Sequence, residues 1–439
     1  MDAVVKINAV ERALADQFAS LSPKLPGNAA VVGTRARAFE AFERQGLPHR
    51  RVEEWKYTDL RALIREAFAP AAPPDKAALK RAATALKVHA LKGVRRLVLV
   101  DGAFQPELSD LTRLEGGLTI EPLAPALAKD HKILQAEAAE DADAMLALNT
   151  ALMRDGVVVT LGEGASLSRP LHIIHVMSSG VAASAYTRSV VRIGAKASLT
   201  LVESFVGATD AAYQISDSVF VTVGDGARLD HIRMMEDRGD AFNLSTLDLV
   251  LGKEATLNTF NLTSGAAVSR YQLNLRFAGE GARAETFGVN LLRGSQHGDS
   301  TLVVDHAVPG CMSREIFRSV LDDKARSVFQ GRIIVRPDAQ KTDGKMMTRA
   351  LLLSDDAEAD HKPELEIFAD DVTCGHGAVS GALDEDLLFY LRARGLPEQE
   401  AQALLIQAFV GEAIESIVDE KLRDAAAAAA DRWLKERVR

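Results

Sequence analysis

Apolar and polar positions alternate along this chain with two different periods, and the changes of period mark out its units. Over residues 7–21 and 34–45 apolar side chains return every three or four positions, the spacing that collects them on one face of a helix. The run Pro70-Ala71-Ala72-Pro73-Pro74 ends that texture, because proline lacks the amide a helix needs and holds its predecessor extended. Arg96-Leu97-Val98-Leu99-Val100 followed by Asp101-Gly102 reads as a strand closed by a tight turn. Residues 125–153 return to one helical pattern, carried by Leu127, Ile133, Leu134, Met145, Leu146 and Leu148.

From Gly156 onward the chain becomes a series of β-rich runs, such as Val157-Val158-Val159-Thr160-Leu161 and Ser198-Leu199-Thr200-Leu201-Val202. Between them recurs one turn: Gly162-Glu163-Gly164-Ala165, Gly194-Ala195-Lys196-Ala197, Gly224-Asp225-Gly226-Ala227, Gly252-Lys253-Glu254-Ala255 and Gly279-Glu280-Gly281-Ala282. The first glycines stand 27 to 32 residues apart. Such a period is expected when each coil of chain stacks on the last, since one coil cannot bury its apolar face alone. Glycine is expected to supply left-handed backbone angles at the corner, and alanine to fit the narrow space beneath it. An antiparallel sandwich would bring turn signals roughly every 8 to 12 residues. The longer period favours a β-solenoid with about two strands per coil.

The β texture runs on through Gln330-Gly331-Arg332-Ile333-Ile334-Val335 and Leu365-Glu366-Ile367-Phe368. Beyond Leu383 the chain reads as helical, with Asp384 as an N-cap, a second start at Pro397 and a final stretch through Ala425 to Ala430 that ends on Arg432, Lys435, Arg437 and Arg439. The expected division is a helical region over 1–74, a small mixed unit over 75–155, a solenoid over 156–383 and a helical region over 384–439.

Composition narrows the class. Of 439 residues 47% are apolar, enough for a large core, and the net charge of -9 disfavours a surface that attracts nucleic acid or anionic lipid. Two cysteines, Cys311 and Cys374, lie too far apart in sequence to suggest a disulfide framework. Met1-Asp2-Ala3-Val4-Val5-Lys6 lacks the pattern of a secretion signal, and no apolar run reaches membrane-spanning length. The expectation is a soluble protein of a reducing compartment.

No P-loop, His-Glu-x-x-His or Gly-x-Ser-x-Gly motif occurs, so a nucleotide-phosphate cradle, a zincin and a serine hydrolase are set aside. His172 and His175 fall on opposite faces of a strand and read as structural residues with local hydrogen bonds, not a metal pair. Cys311 reads as a small buried hydrophobe. In Asp370-Asp371-Val372-Thr373-Cys374-Gly375-His376-Gly377, by contrast, the thiol and the imidazole stand two apart, on one face of a strand. They are either half of a metal site, to be completed by Asp371, His361 or a second subunit, or a buried thiol beside a satisfied histidine. A nucleophilic Cys-His dyad ranks below both, since no orienting third residue is evident.

Several stretches resemble the SufB/SufD family of iron–sulfur cluster assembly proteins: Glu53-Glu54-Trp55-Lys56-Tyr57-Thr58-Asp59-Leu60, Ala339-Gln340-Lys341-Thr342-Asp343, Pro363-Glu364-Leu365-Glu366-Ile367, Asp371-Val372-x-Cys374-x-His376-Gly377 and Phe389-Tyr390-Leu391-x-x-Arg394-Gly395. Their order covers nearly the whole chain. The Cys-x-His-Gly form, the length and the lack of an N-terminal cysteine cluster resemble the SufD branch. The resemblance implies a mainly β fold, a right-handed parallel β-helix flanked by an N-terminal helical region and a C-terminal helical domain. It implies a non-catalytic, cytoplasmic scaffold subunit that pairs with a SufB-like subunit through the end of the β-helix, with a homodimer possible in isolation. A transient iron–sulfur cluster would be held at that interface by His376, with Cys374 beside it. A SufC-like ATPase would dock on the C-terminal helices, at Phe389, Tyr390, Leu391, Arg394, Gly395, Leu404, Leu405 and Phe409, so that this chain binds no nucleotide; nucleic acid and membrane are not expected partners. The rivals are a β-helix polysaccharide lyase or hydrolase, which would want a secretion signal and a charged catalytic cluster, and a structural solenoid without cluster chemistry.

Overall fold

From Ala183 to Leu352 the strands alternate between two sheets, so each bonds to the strands one coil before and one coil after it, not to its neighbours in sequence. The computed structural model describes residues 8–134, 143–237 and 240–437. It is a parallel β-solenoid of about eight coils, built from a ten-stranded and a nine-stranded sheet. Phe242–Leu251, for example, pairs over all ten of its residues with Tyr213–Val223 on one side and Val268–Phe277 on the other. Two strands of the mixed segment join the same sheets: Arg95–Val100 pairs in parallel with Leu171–Met177, and Leu118–Pro122 runs antiparallel to Val157–Leu161.

This continuous register turns the alternating pattern into columns. Val223, Leu251 and Phe277 stack in successive coils, as do Val221, Leu249, Leu275, Val304 and Ile333, and all point between the sheets. Each buried Leu or Val contributes about 1.5–3 kcal/mol relative to exposure. No coil would keep that gain without the next one.

The recurring turn divides the two demands on glycine between two positions. The first glycines lack positive φ; among the repeat residues it is the third position, occupied by Gly164, Lys196, Gly226, Glu254 and Gly281, that lies in the left-handed region. At Gly194, Gly224, Gly252 and Gly279 the first position needs glycine because stacked turns approach too closely there for a side chain. A Cβ on Gly279 would stand 2.0 Å from the amide nitrogen of Lys253 in the coil before. Alanine fills a tight column as expected, and Cys311 replaces it one coil later, buried among the core side chains. Gly279→Ala is therefore expected to cost about 3 kcal/mol or more, since relief requires two coils to separate, whereas Gly281→Ala, strained only in φ, costs about 1–2 kcal/mol. Urea unfolding of the two variants measures both; equal costs would mean that stacking does not impose the glycine.

Helices cover both outer faces. Asn8 and Glu11 form a capping box at the start of Ala9–Leu21, and Asn28 caps Ala29–Gln45; position 7 lies outside the described residues. Phe39, Phe42, Trp55 and Leu148 pack with Tyr186 and Leu244 on the nine-stranded sheet. The stretch expected as one helix over 125–153 is two, Leu123–Lys129 and Ala144–Leu152, with residues 135–142 outside the description. The Glu53-Glu54-Trp55 turn is an anchor: the Arg270 guanidinium lies 3.8 Å above the Trp55 ring, and Arg270 and Gln330 both donate to the Glu54 carbonyl. On the ten-stranded sheet, Ile406, Val410, Trp433 and Leu434 of the C-terminal helices Glu398–Ile414 and Glu420–Arg437 cover Val202, Ile232, Phe260 and Val289. Arg439 lies outside the described residues. Among those described, no helix is long and apolar enough to cross a membrane.

Candidate functional site

At the C-terminal end of the solenoid, no strand among the described residues stacks on the last coil. Its strands, Glu358–Ile367 and Thr373–Gly381, end their respective sheets, and each has one strand neighbour. Both leave a row of backbone N–H and C=O groups without sheet partners along the free edge, which makes the pair a template for further strands. Phe368 and Val379 are exposed beside it.

Cys374 and His376 lie on this coil. Register places Cys374 beside Gly344 and His376 beside Met346, and one coil earlier beside Ser313 and Glu315. Gly344, Met346, Ser313 and Glu315 are all buried. Both candidate residues therefore continue the inward face of the sheet, at the mouth of the interior. Glycine at 344 leaves the space next to the thiol free of a side chain. Cys374 is half-buried and packs against the main core, whereas His376 is exposed at the rim.

Burial pushes the Cys374 thiol above its ordinary range, a hydrogen bond from the Gly344 backbone opposes this, and the carboxylates of Asp343 and Glu315 add to the rise. A thiol that holds its proton is a poor resting nucleophile, which argues against the Cys-His dyad. It can still bind metal, at the cost of releasing that proton. Glu315, deeper in the column, has both oxygens buried without hydrogen-bond partners, and desolvation pushes its carboxyl up to about 8. The sequence reading missed it, although a glutamate at the inward phase between Ser313 and Phe317 was the available signal.

The proposed extra ligands do not converge on the pair. Asp371 forms an ion pair with Lys341. His361, on the facing sheet, has its Nδ1 3.0 Å from the Thr348 hydroxyl, and burial lowers its pKa. Among the described residues, Cys374 and His376 belong to no cluster of three potential metal donors. What this chain offers is a thiol and an imidazole on an open edge.

The expected docking residues divide by exposure. Asp384 caps the short helix Glu385–Ala393, which buries none of its side chains. Phe389 is 73% and Tyr390 54% exposed, and Leu391 is partly covered. Arg394 lies 5.0 Å from the Tyr390 ring centroid, and Gly395 follows at φ +93 to turn the chain. On the next helix Leu404 is exposed and Leu405 partly so, while Phe409 packs towards the solenoid under Arg318. Phe389, Tyr390 and Leu404 are thus free to meet another chain, and Phe409 serves the cap.

The sequence matches two family models, "SUF system FeS cluster assembly, SufBD core domain" over residues 175–409 and "SufBD protein N-terminal region" over 21–173. It is 33% identical to the iron-sulfur cluster assembly protein SufD of Escherichia coli over 384 residues, which cover 87% of this chain and 88% of that one. An iron-sulfur cluster assembly SufBD family protein of Synechocystis is 31% identical over 403 residues, 88% of this chain and 87% of its own length. The SufD protein of Bacillus subtilis is 27% identical over 289 residues, 63% of this chain and 64% of that protein.

Proposed function

The chain belongs to the SufBD family of iron–sulfur cluster assembly proteins, and from that premise we propose that it is a non-catalytic, cytoplasmic SufD-like subunit of an assembly scaffold. It pairs with a SufB-like subunit through its last coil and docks a SufC-like ATPase through its C-terminal helices. The observation that carries the reading is the coincidence, on one coil, of two free strand edges with a cysteine and a histidine facing the mouth of the interior.

A partner strand that completes the sheet would also deliver the missing ligands. Thiolate and imidazole suit iron, and further thiolates or sulfide would fill its coordination. His376, exposed at the rim, is the first to meet an incoming ligand set; Cys374 must give up a proton to join it. The cluster is cargo of the site, assembled across subunits and passed on. ATP belongs to the docked partner, consistent with the absence of a P-loop here. The Phe389, Tyr390 and Leu404 surface gives that partner apolar anchors on helices fixed to the solenoid, so its movement would be felt at the sheet they cover.

Anaerobic co-expression with SufB-like and SufC-like chains, followed by size-exclusion chromatography and assays of iron and sulfide, tests the reading. A ternary complex carrying iron and sulfide is expected. Recovery of this chain free of both partners would overturn it.

A further inference from the structure

Between the sheets, far from the open end, three potential metal donors meet: His175, Glu203 and Asp217. Each offers a ligand atom, all within 4.8 Å of one another, and the residues are 4%, 2% and 2% exposed. Leu171–Met177 and Ser198–Gly207 belong to adjacent coils of the ten-stranded sheet, while Tyr213–Val223 belongs to the other sheet. The seven strand spacings from Leu171–Met177 to Thr373–Gly381 amount to about 34 Å. This cluster is independent of Cys374 and His376, and of the function proposed for them.

Two of its atoms have no hydrogen-bond partner among the described residues. His175 Nε2 is buried and unbonded, 3.8 Å from Asp217 Oδ1, too long for a hydrogen bond. Glu203 Oε1 is also buried and unbonded. Such atoms cost about 1–3 kcal/mol each when left unsatisfied. The surroundings hold the donors in place: the Thr187 hydroxyl donates to Asp217 Oδ1 at 2.6 Å, and His231 Nε2 meets Glu203 Oε2 at 2.7 Å, with its Nδ1 2.8 Å from the Thr259 hydroxyl. The Phe205 ring stacks on the His175 imidazole at 4.7 Å.

Charge points the same way. The buried Arg233 guanidinium faces three buried carboxylates, Glu203, Asp217 and Asp237. Carboxyl groups thus outnumber the guanidinium three to one here, and a divalent ion would supply positive charge that these buried groups otherwise draw from protons and hydrogen bonds. Metal ligands about 2.1 Å from a central ion stand about 3.4 Å apart in a tetrahedron, so binding draws together donor atoms that now lie within 4.8 Å of one another.

We propose that His175, Glu203 and Asp217 bind one divalent first-row metal ion, of the zinc or ferrous class, as a structural centre of the solenoid interior. One imidazole and two carboxylates, with no thiolate, favour zinc, ferrous or manganous ions over cuprous copper. Glu203 Oε1 and His175 Nε2 become ligands, and His231 supports Glu203 from behind.

The test uses the full-length chain carrying Cys374→Ser and His376→Ala, which removes the end-coil donors. Produced with zinc supplied and dialysed against EDTA, it is expected to retain about one zinc per chain by elemental analysis, and adding Asp217→Asn or Glu203→Gln is expected to lower retention at least tenfold. Cobalt supplied in place of zinc should give visible d–d bands without sulfur charge transfer, a readout that needs no further substitution if those variants fold poorly. Zinc and cobalt both absent from the double variant would mean that water or protons fill the site, and would overturn the proposal. So would full retention in both added variants.

Discussion

Replacing Phe389 and Leu404 together by glutamate is expected to weaken binding of the SufC-like ATPase by at least about 100-fold, and to leave the thermal midpoint within about 1 °C of the unchanged protein. Both side chains are exposed large hydrophobics, on helices that face away from or ride above the solenoid. They contribute little to folding, so their loss should register in binding alone. If each anchors a pocket on the partner, truncation costs about 2 kcal/mol or more, and an introduced carboxylate adds desolvation. Deleting residues 384–439 is a poorer experiment than the sequence suggests. It would uncover Val202, Ile232, Phe260 and Val289, which Ile406, Val410 and Trp433 bury, and a loss of binding would then report unfolding. A Phe409 substitution shares that defect, because Phe409 packs under Arg318. Titration of the purified double variant with the ATPase settles the matter, and affinity within threefold of the unchanged chain would remove the docking surface from these helices.

The solenoid was legible because its turn is written in glycine and alanine at a constant period, and the steric demand behind that turn is local. Where the demand is met by another small residue the signal fades. Cys311, Thr342 and Val372 occupy the alanine column in the last three coils, and Val308, Ala339 and Ala369 the glycine one, which is why the repeat fades from the sequence near residue 282 although the coils continue to 381. The left-handed angle could not be assigned to one glycine of the turn for a related reason. Sequence shows that glycine is needed, but close approach and positive φ leave the same mark, and only stacking separates Gly279 from Gly281.

Cys374 and His376 were legible because they share one strand, where a spacing of two means one face. His175, Glu203 and Asp217 were not, because they sit on three strands and become neighbours only through the register between coils and the facing of two sheets. His172 and His175 do fall on opposite faces as expected: His172 reaches the Ser204 hydroxyl at 2.7 Å, while His175 turns inward. The available signal was phase. Glu203, His231 and Arg233 occupy inward positions in strands whose other inward residues are leucine, phenylalanine and methionine. A charge at the apolar phase of an alternating strand is costly unless it is paired, so it marks an interior site before any partner is known.

His376→Ala is expected to leave the assembled complex intact and to lower its iron and sulfide content to about a tenth or less of the unchanged complex, through loss of one of the few ligands on which assembly depends. The imidazole is exposed and packs little, so removing it should change stability by no more than about 0.5 kcal/mol. Cys374→Ser should lower cluster content less. The Cys374 thiol is half-buried and held protonated by burial and by Asp343 and Glu315, so it enters a cluster only after a proton leaves. A ligand role and a packing role at position 376 are separated by His376→Cys, which restores a soft donor without restoring the ring: recovery of cluster content supports ligation, and failure to recover supports a role for the ring itself. Iron and sulfide assays on the anaerobically purified complexes provide the comparison. Unchanged content in His376→Ala would place cluster assembly elsewhere and leave the open coil as a pairing surface alone. In that case the exposed Phe368 and Val379 beside its free strand edges would be the features to change next.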